Sequence, residues 1–155
     1  MTTLKAGDKA PLFTTKNQHG QPISLSDYKG SPLILFFYPR DNTATCIKEV
    51  CNLRDNYQIL IDKGFKLLGV SNDDEKSHQK FIKKFELPFD LLADEDKSIV
   101  NAYEVYGEKL FMGRIIVGIY RSTFIIDEKG IITGVIDKVE SKNHAQQILE
   151  LVEKS

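Results

Sequence analysis

The 155-residue chain has no tryptophan, only two cysteines and no surplus of either charge. Lys and Arg number 21 against 22 Asp and Glu, a formal net charge of −1. Each shortage excludes something. Without a surplus of Lys and Arg there is no means of neutralising a run of phosphates, so nucleic acid is not an expected partner. No apolar run approaches the length needed to cross a bilayer, so no membrane partner is expected either. The opening Met1-Thr2-Thr3-Leu4-Lys5 lacks the apolar stretch of an export signal. That points to the cytoplasm, where thiols are kept reduced. Two cysteines there are not needed as a structural staple, because a chain of this length buries a core without one. There is no repeat, low-complexity tract or linker, so residues 1–155 read as one domain.

What is present reads as alternating strands and helices. Leu33-Ile34-Leu35-Phe36-Phe37-Tyr38 is continuously apolar, the pattern of a strand buried on both faces. Phe65–Val70, Ser122–Ile126 and Ile131–Ile136 are further strands. The last two are joined by Asp127-Glu128-Lys129-Gly130, a hairpin-type turn. The segment near Pro11–Thr14 is expected to form an edge hairpin through His19-Gly20. Helical spacing of Val50, Leu53, Tyr57 and Leu60 predicts one long helix from Thr45 to about Asp62. Further helices are predicted over Glu75–Phe85, stopped by Pro88, over Asn143–Val152, and, as a short one, over Lys97–Tyr103. The order implies an α/β layer fold whose sheet has a parallel part and an antiparallel hairpin edge. The apolar stretch Gly107–Tyr120 reads equally as pocket wall, partner surface or core.

The two cysteines are not equivalent. Cys46 falls in the first turn of the long helix, directly after the buried strand. Unpaired backbone N–H groups and the positive end of the helix dipole stabilise a thiolate there. At about 100° per residue, Cys46 shares a face with Val50 and Leu53, while Cys51 lies about 140° around the axis. Their Cα atoms are about 8–9 Å apart on an intact helix, beyond the roughly 7 Å that a disulfide spans. A Cys46–Cys51 bond therefore requires the helix start to unwind. Two cysteines at this spacing, with His19, His78 and His144 scattered elsewhere, give no metal-ligand set. Neither metal nor cofactor is expected. His78 is expected to pack on the Phe81/Phe85 face with a satisfied ring nitrogen; His19 and His144 are expected at the surface.

Pro39, Thr43 and Cys46 form a P-x3-T-x2-C arrangement, followed by Glu49 and Cys51. This stretch resembles the peroxiredoxins, in particular the bacterioferritin comigratory protein and peroxiredoxin Q subfamily. Gly7–Phe13, Leu25–Gly30, Leu87–Leu92 and Arg121–Asp127 are similar as well, so the resemblance spans nearly the whole chain. It implies a thioredoxin-like fold, a central mixed sheet flanked by helices. It also implies reduction of hydrogen peroxide and organic hydroperoxides, in antioxidant defence. Carried onto this sequence, Cys46 is the peroxidatic thiolate and Cys51 the resolving thiol of an intramolecular disulfide. Thr43 and Arg121 bind and orient the peroxide, Pro39 shields the site, and Glu49 orders the arginine. The resemblance further implies thioredoxin, or a similar dithiol protein, as reductant, and a monomer suffices for the cycle. The subfamily's Pro-Gly before the peroxidatic cysteine is replaced here by Ala44-Thr45, with Thr45 the expected helix N-cap. Two other readings of the residues are a general disulfide oxidoreductase, weakened by the lack of C-x2-C, and a thioredoxin-like binding module with inert cysteines.

Overall fold

The computed structural model describes residues 2–153. Nine strands are present among them: β1 (Thr14–Asn17), β2 (Pro22–Ser24), β3 (Leu33–Phe37), β4 (Lys66–Ser71), β5 (Asp90–Ala93), β6 (Tyr106–Phe111), β7 (Arg114–Ile119), β8 (Ser122–Ile126) and β9 (Ile132–Ile136). The helices are α1 (Ala44–Asp55), α2 (Tyr57–Asp62), α3 (Glu75–Phe85), α4 (Ser98–Ala102) and α5 (His144–Glu153). Seven strands form one sheet in the order β2-β1-β5-β4-β3-β8-β9. β3, β4 and β5 run parallel, and β1, β8 and β9 join antiparallel. This is the mixed sheet that the order of elements implied.

The continuous apolar run of β3 has its physical reason in two separate cores. Leu33, Leu35 and Phe37 face Val100, Tyr103 and Phe124 on one side of the sheet. Ile34 and Phe36 face the other side, with Cys46, Val50 and Leu53 of α1, Phe81 of α3 and Ile148 of α5. Strand side chains alternate, so only a strand covered on both faces tolerates such a run. Each fully buried Leu or Phe contributes about 1.5–3 kcal/mol.

At four places the structure corrects the expectations or goes beyond them. The predicted long helix is two helices, α1 and α2. At Asn56 the side-chain amide donates to the Asn52 carbonyl at 2.8 Å, and the backbone leaves helical geometry (φ −109, ψ 10). Asn offers the backbone this local alternative to a continued helix. Residues 90–93 form a strand that their mixed pattern did not reveal; β5 is specified by pairing with β4 and β1. The stretch 107–120 is core only at Ile119. It is chiefly the β6–β7 hairpin, separate from the main sheet, turning at Met112-Gly113, both with positive φ. Its Leu110, Phe111, Ile115 and Val117 are exposed. The fourth is His144, which is fully buried rather than on the surface. It lies four residues before Ile148, on the inward face of α5. The predicted hairpin turn at Asp127–Gly130 is present: Gly130 has φ +82, and Asp127 Oδ1 accepts from the Lys129 and Ile131 amides.

Gly69 of β4 lies opposite Phe36 in the sheet register. A Cβ there would come within 2.6 Å of both the Phe36 ring and Leu91. The Phe36 ring packs on Tyr38 and Phe89, so it has little room to yield. Gly69→Ala is expected to destabilise the fold by about 1–3 kcal/mol, the usual cost of overpacking. Chemical denaturation of the two proteins measures it.

Candidate active site

β3 delivers the chain to Tyr38, and the segment through Thr43 turns it into α1. Asn42 takes the left-handed conformation (φ +59), which Asn tolerates better than most residues. Thr43 has extended backbone (φ −98, ψ 152) and is the N-cap; its carbonyl accepts from the Ile47 amide at 2.8 Å. Its hydroxyl donates to the Arg40 carbonyl at 3.2 Å. The expectation that Thr45 caps the helix is therefore corrected. The extended residue is Thr43, and Thr45 already lies in the first turn, exposed to solvent. Pro39 is half-buried within the same turn.

Cys46 is the third residue of α1 and is fully buried, on the face of Val50 and Leu53. Cys51 is half-buried on the flank, and both thiols are free. The angular separation read from the spacing is retained, because α1 runs unbroken through both.

Arg121 directly precedes β8, and the β3–β8 register pairs Ser122 with Phe37. That pairing brings Arg121 beside the end of β3 and the start of α1. Its Nη2 donates to Cys46 Sγ at 3.3 Å, and its Nη1 donates to Glu49 Oε1 at 2.5 Å. Burial works against the guanidinium's charge, but Glu49 and Cys46 outweigh it, so its pKa is raised. Glu49 is fully buried, one turn after Cys46. Its second oxygen, Oε2, lies 2.8 Å from His144 Nδ1. The pair is close enough for an ion pair but out of line for a hydrogen bond, and neither atom is otherwise hydrogen-bonded. His144 Nε2 is 2.6 Å from the Thr123 hydroxyl on β8. Lys109 of β6 donates to the Ile119 carbonyl, and its pKa is lowered by burial and by repulsion from Arg121, against a pull from Cys46. Of the predicted residues, Cys46, Glu49 and Arg121 are thus in direct contact, with Pro39 and Thr43 in the loop before them. Cys51 stands apart. His144 and Thr123 were missed, although the spacing from His144 to Ile148 carried a signal.

A second polar cluster fixes the loop. The Tyr38 hydroxyl donates to Asp41 Oδ1 at 2.6 Å. Asp41 Oδ2 accepts from Ser77 Oγ and lies 2.7 Å from His78 Nδ1. His78 Nε2 is 2.9 Å from the Leu92 carbonyl. The Asp41 amide donates to Asp73. Both ring nitrogens of His78 face acceptors, so both are satisfied only in the imidazolium form. Burial opposes that charge, but the Asp41 carboxylate and the Leu92 carbonyl prevail, and the His78 pKa is raised. His78 is buried with its ring nitrogens partnered, as expected, and its ring lies against Tyr38. Asp41, Asp73 and His78 offer ligand-type atoms within 4.8 Å of one another, yet each already has protein partners. A cleft of about 360 Å³ lined by Lys9, Leu25, Leu33 and Ile126 touches none of these groups; Leu33 starts β3, at the far end from Cys46.

A buried thiol at a helix N-terminus, hydrogen-bonded to a fixed cation, is the setting of a nucleophilic thiolate. Fold and site together define a thioredoxin-like thiol enzyme. The AhpC/TSA family matches residues 6–135, and the chain belongs to it, as a peroxiredoxin of the Bcp/PrxQ group. It is 42% identical over 147 residues to a putative peroxiredoxin bcp of Coxiella burnetii, covering 95% of this chain and 97% of that one. It is 40% identical to the peroxiredoxin Bcp of Escherichia coli, over 96% of both chains. Among solved structures, a peroxiredoxin Q mutant of Xanthomonas campestris superposes with TM-score 0.88 at 30% identity, over 97% of this chain and 99% of that one. A PrxQ mutant of Xylella fastidiosa gives TM-score 0.91 at 28% identity, over 99% and 98%. The chain is accordingly a thiol peroxidase with an antioxidant role.

The Asp41–His78 pair carries a pH prediction. A raised folded pKa makes its stabilisation fully present below the unfolded value of about 6.5, and lost as pH rises through the folded value. The stability difference between wild type and His78→Leu is expected to be largest near pH 6 and to shrink above neutrality. Denaturant titrations across that range measure it.

Proposed function

We propose that the chain is a thioredoxin-dependent peroxidase of the atypical two-cysteine type, working in the cytoplasm as a monomer of one domain. The observation that carries this reading is the Arg121 guanidinium shared between Cys46 Sγ and Glu49. Cys46 is the peroxidatic thiolate. It attacks one oxygen of the hydroperoxide; the O–O bond breaks, and the departing alkoxide or hydroxide takes a proton and leaves as alcohol or water. Cys46 is left as the sulfenic acid. Arg121 steadies the thiolate and the charge that develops on the leaving oxygen. Thr43 and Pro39 shape the pocket in which the peroxide lies, and Glu49 holds Arg121 in place.

Cys51 then attacks the Cys46 sulfur. The S–O bond breaks, water leaves after protonation, and the Cys46–Cys51 disulfide forms. Since α1 keeps the two apart, its first turns open for this step. An external dithiol reduces the disulfide by two exchanges and is itself oxidised. Hydrogen peroxide and organic hydroperoxides are both substrates in this reading. A related structure of a Xanthomonas campestris bacterioferritin comigratory protein, with TM-score 0.86 and 28% identity, is described for alkyl peroxide reduction.

Peroxide added to the reduced protein is expected to remove both thiols without forming a dimer. Cys46→Ser abolishes turnover. Cys51→Ser consumes about one equivalent of peroxide and halts at the sulfenic acid. Thiol titration, intact mass and a thioredoxin-coupled NADPH assay read these outcomes. Full thioredoxin-driven turnover by Cys51→Ser would remove its resolving role.

A further inference from the structure

We infer that His144 is a positioning residue that latches Glu49, and through it the first turns of α1, in the closed arrangement that meets peroxide. The inference rests on the reading that Cys51 resolves Cys46.

Glu49 lies between the two cysteines, so any opening of residues 46–51 must withdraw it from its buried place. Its two oxygens are held separately, Oε1 by Arg121 and Oε2 against His144 Nδ1. Glu49 Oε2 and His144 Nδ1 are both buried and have no hydrogen-bonded partner, so each finds its polar relief only in the other. The latch takes the tautomer with its proton on Nδ1, toward the carboxylate, in which Nε2 accepts from the Thr123 hydroxyl 2.6 Å away. Thr123 belongs to the sheet, so the latch is fixed to a rigid element.

The far limit of the opening is also marked. Asn52, directly after Cys51, ties α1 to the start of α5. Its Oδ1 accepts from the Ala145 amide at 2.7 Å, and its Nδ2 donates to the Lys142 carbonyl at 2.9 Å. Residues from Asn52 onward can remain docked while 46–51 unwind, and the Glu49–His144 contact is what must break. When it breaks, the buried His144 Nδ1 loses the carboxylate that faces it at 2.8 Å, and that loss opposes opening.

The latch therefore sets how long the sulfenic acid stays in the closed pocket. There a second hydroperoxide oxidises it to the sulfinic acid and is itself reduced to alcohol or water. Once opened, the sulfenic acid meets Cys51 instead.

Two substitutions separate the ring nitrogens. His144→Gln sets an amide where Nε2 meets Thr123 and removes the group facing Glu49. His144→Asn sets an amide near the Nδ1 position and gives up Thr123. Rapid quench with thiol alkylation and intact mass follows the sulfenic acid, the disulfide and the sulfinic acid. For His144→Gln, the rate constant of disulfide formation is expected to rise roughly tenfold, the scale of no longer stranding a buried polar group on opening. The sulfinic fraction at high peroxide falls in step. His144→Asn stays within about twofold of wild type. A purely structural role shifts both variants alike, and that result, or wild-type partition in both, overturns the inference. Absence of any Cys46–Cys51 disulfide in the wild type overturns the reading beneath it as well, and is recognised separately. The wild type supplies an independent arm. The ring nitrogen chemical shifts of His144 are expected to move between the reduced and disulfide forms, and unchanged shifts overturn the latch.

Discussion

Arg121 is shared by a thiol sulfur and a buried carboxylate, and the local architecture is arranged around that sharing. Removing one partner of a buried ion pair costs about 3–5 kcal/mol, whereas replacing the whole pair by apolar groups often costs nothing. Stability alone gives no reason to retain Arg121 and Glu49. What the pair supplies is a cation held at a fixed place beside Cys46, without the solvent reorganisation that a mobile side chain would need. Three features serve that placement. The antiparallel β3–β8 register brings Arg121 to the end of β3. The three-residue step from Cys46 to Glu49 puts both groups on neighbouring positions of one helix surface. The double-sided core around β3 keeps strand and helix from shifting relative to each other.

The site is bounded by two anchors of similar chemistry. Before it, Asp41 is clamped by Tyr38, Ser77 and His78, which fastens the loop to α3. After it, Asn52 fastens α1 to the start of α5. Between these anchors lie the ten residues 42–51, the stretch that the proposed cycle moves to bring Cys46 to Cys51. Small cooperative units open more cheaply than a whole domain, and here the boundaries of such a unit are side-chain clamps rather than loops. The clamps would thus confine the opening of the proposed cycle to one helix start, with the sheet, α3 and α5 left in place.

Much of this was legible in the sequence. The unbroken apolar run of β3, the amphipathic spacing of α3 and the turn at Asp127–Gly130 each follow from a local pattern, and the structure contains them. The inward face of Cys46 followed from helical periodicity alone. Arg121 did not: nothing local distinguishes it from Arg40, Arg54 or Arg114, because its place depends on pairing with a strand that ends 84 residues earlier, at Phe37. The resemblance to peroxiredoxins supplied it. Other misses share that cause. His144 is polar at a helix start, so composition assigned it to the surface, yet its partner Glu49 lies on another helix. β5 owes its conformation to neighbours on both sides. Asn56 broke a helix whose apolar stripe runs straight through it, since periodicity reports faces and not the local competition for a carbonyl.

Charge accounting connects the two halves of the proposed cycle. In that proposed cycle Arg121 begins between two groups, the Cys46 sulfur that attacks as the thiolate and the Glu49 carboxyl. Conversion of the thiolate to a neutral sulfenic acid removes its charge, and the full attraction of Arg121 then falls on Glu49. Oxidation therefore loosens Cys46 from the guanidinium while tightening the carboxylate three residues on. The same helix turn is released at one residue and held at another. Opening then turns on Glu49, whose remaining contacts are Arg121 on one oxygen and His144 on the other. The Arg121 contact also serves the peroxide step, so weakening it would cost reactivity. The His144 contact reaches the sulfur only through Glu49, and it is the one that can be tuned to set the pace of opening with least effect on the attack.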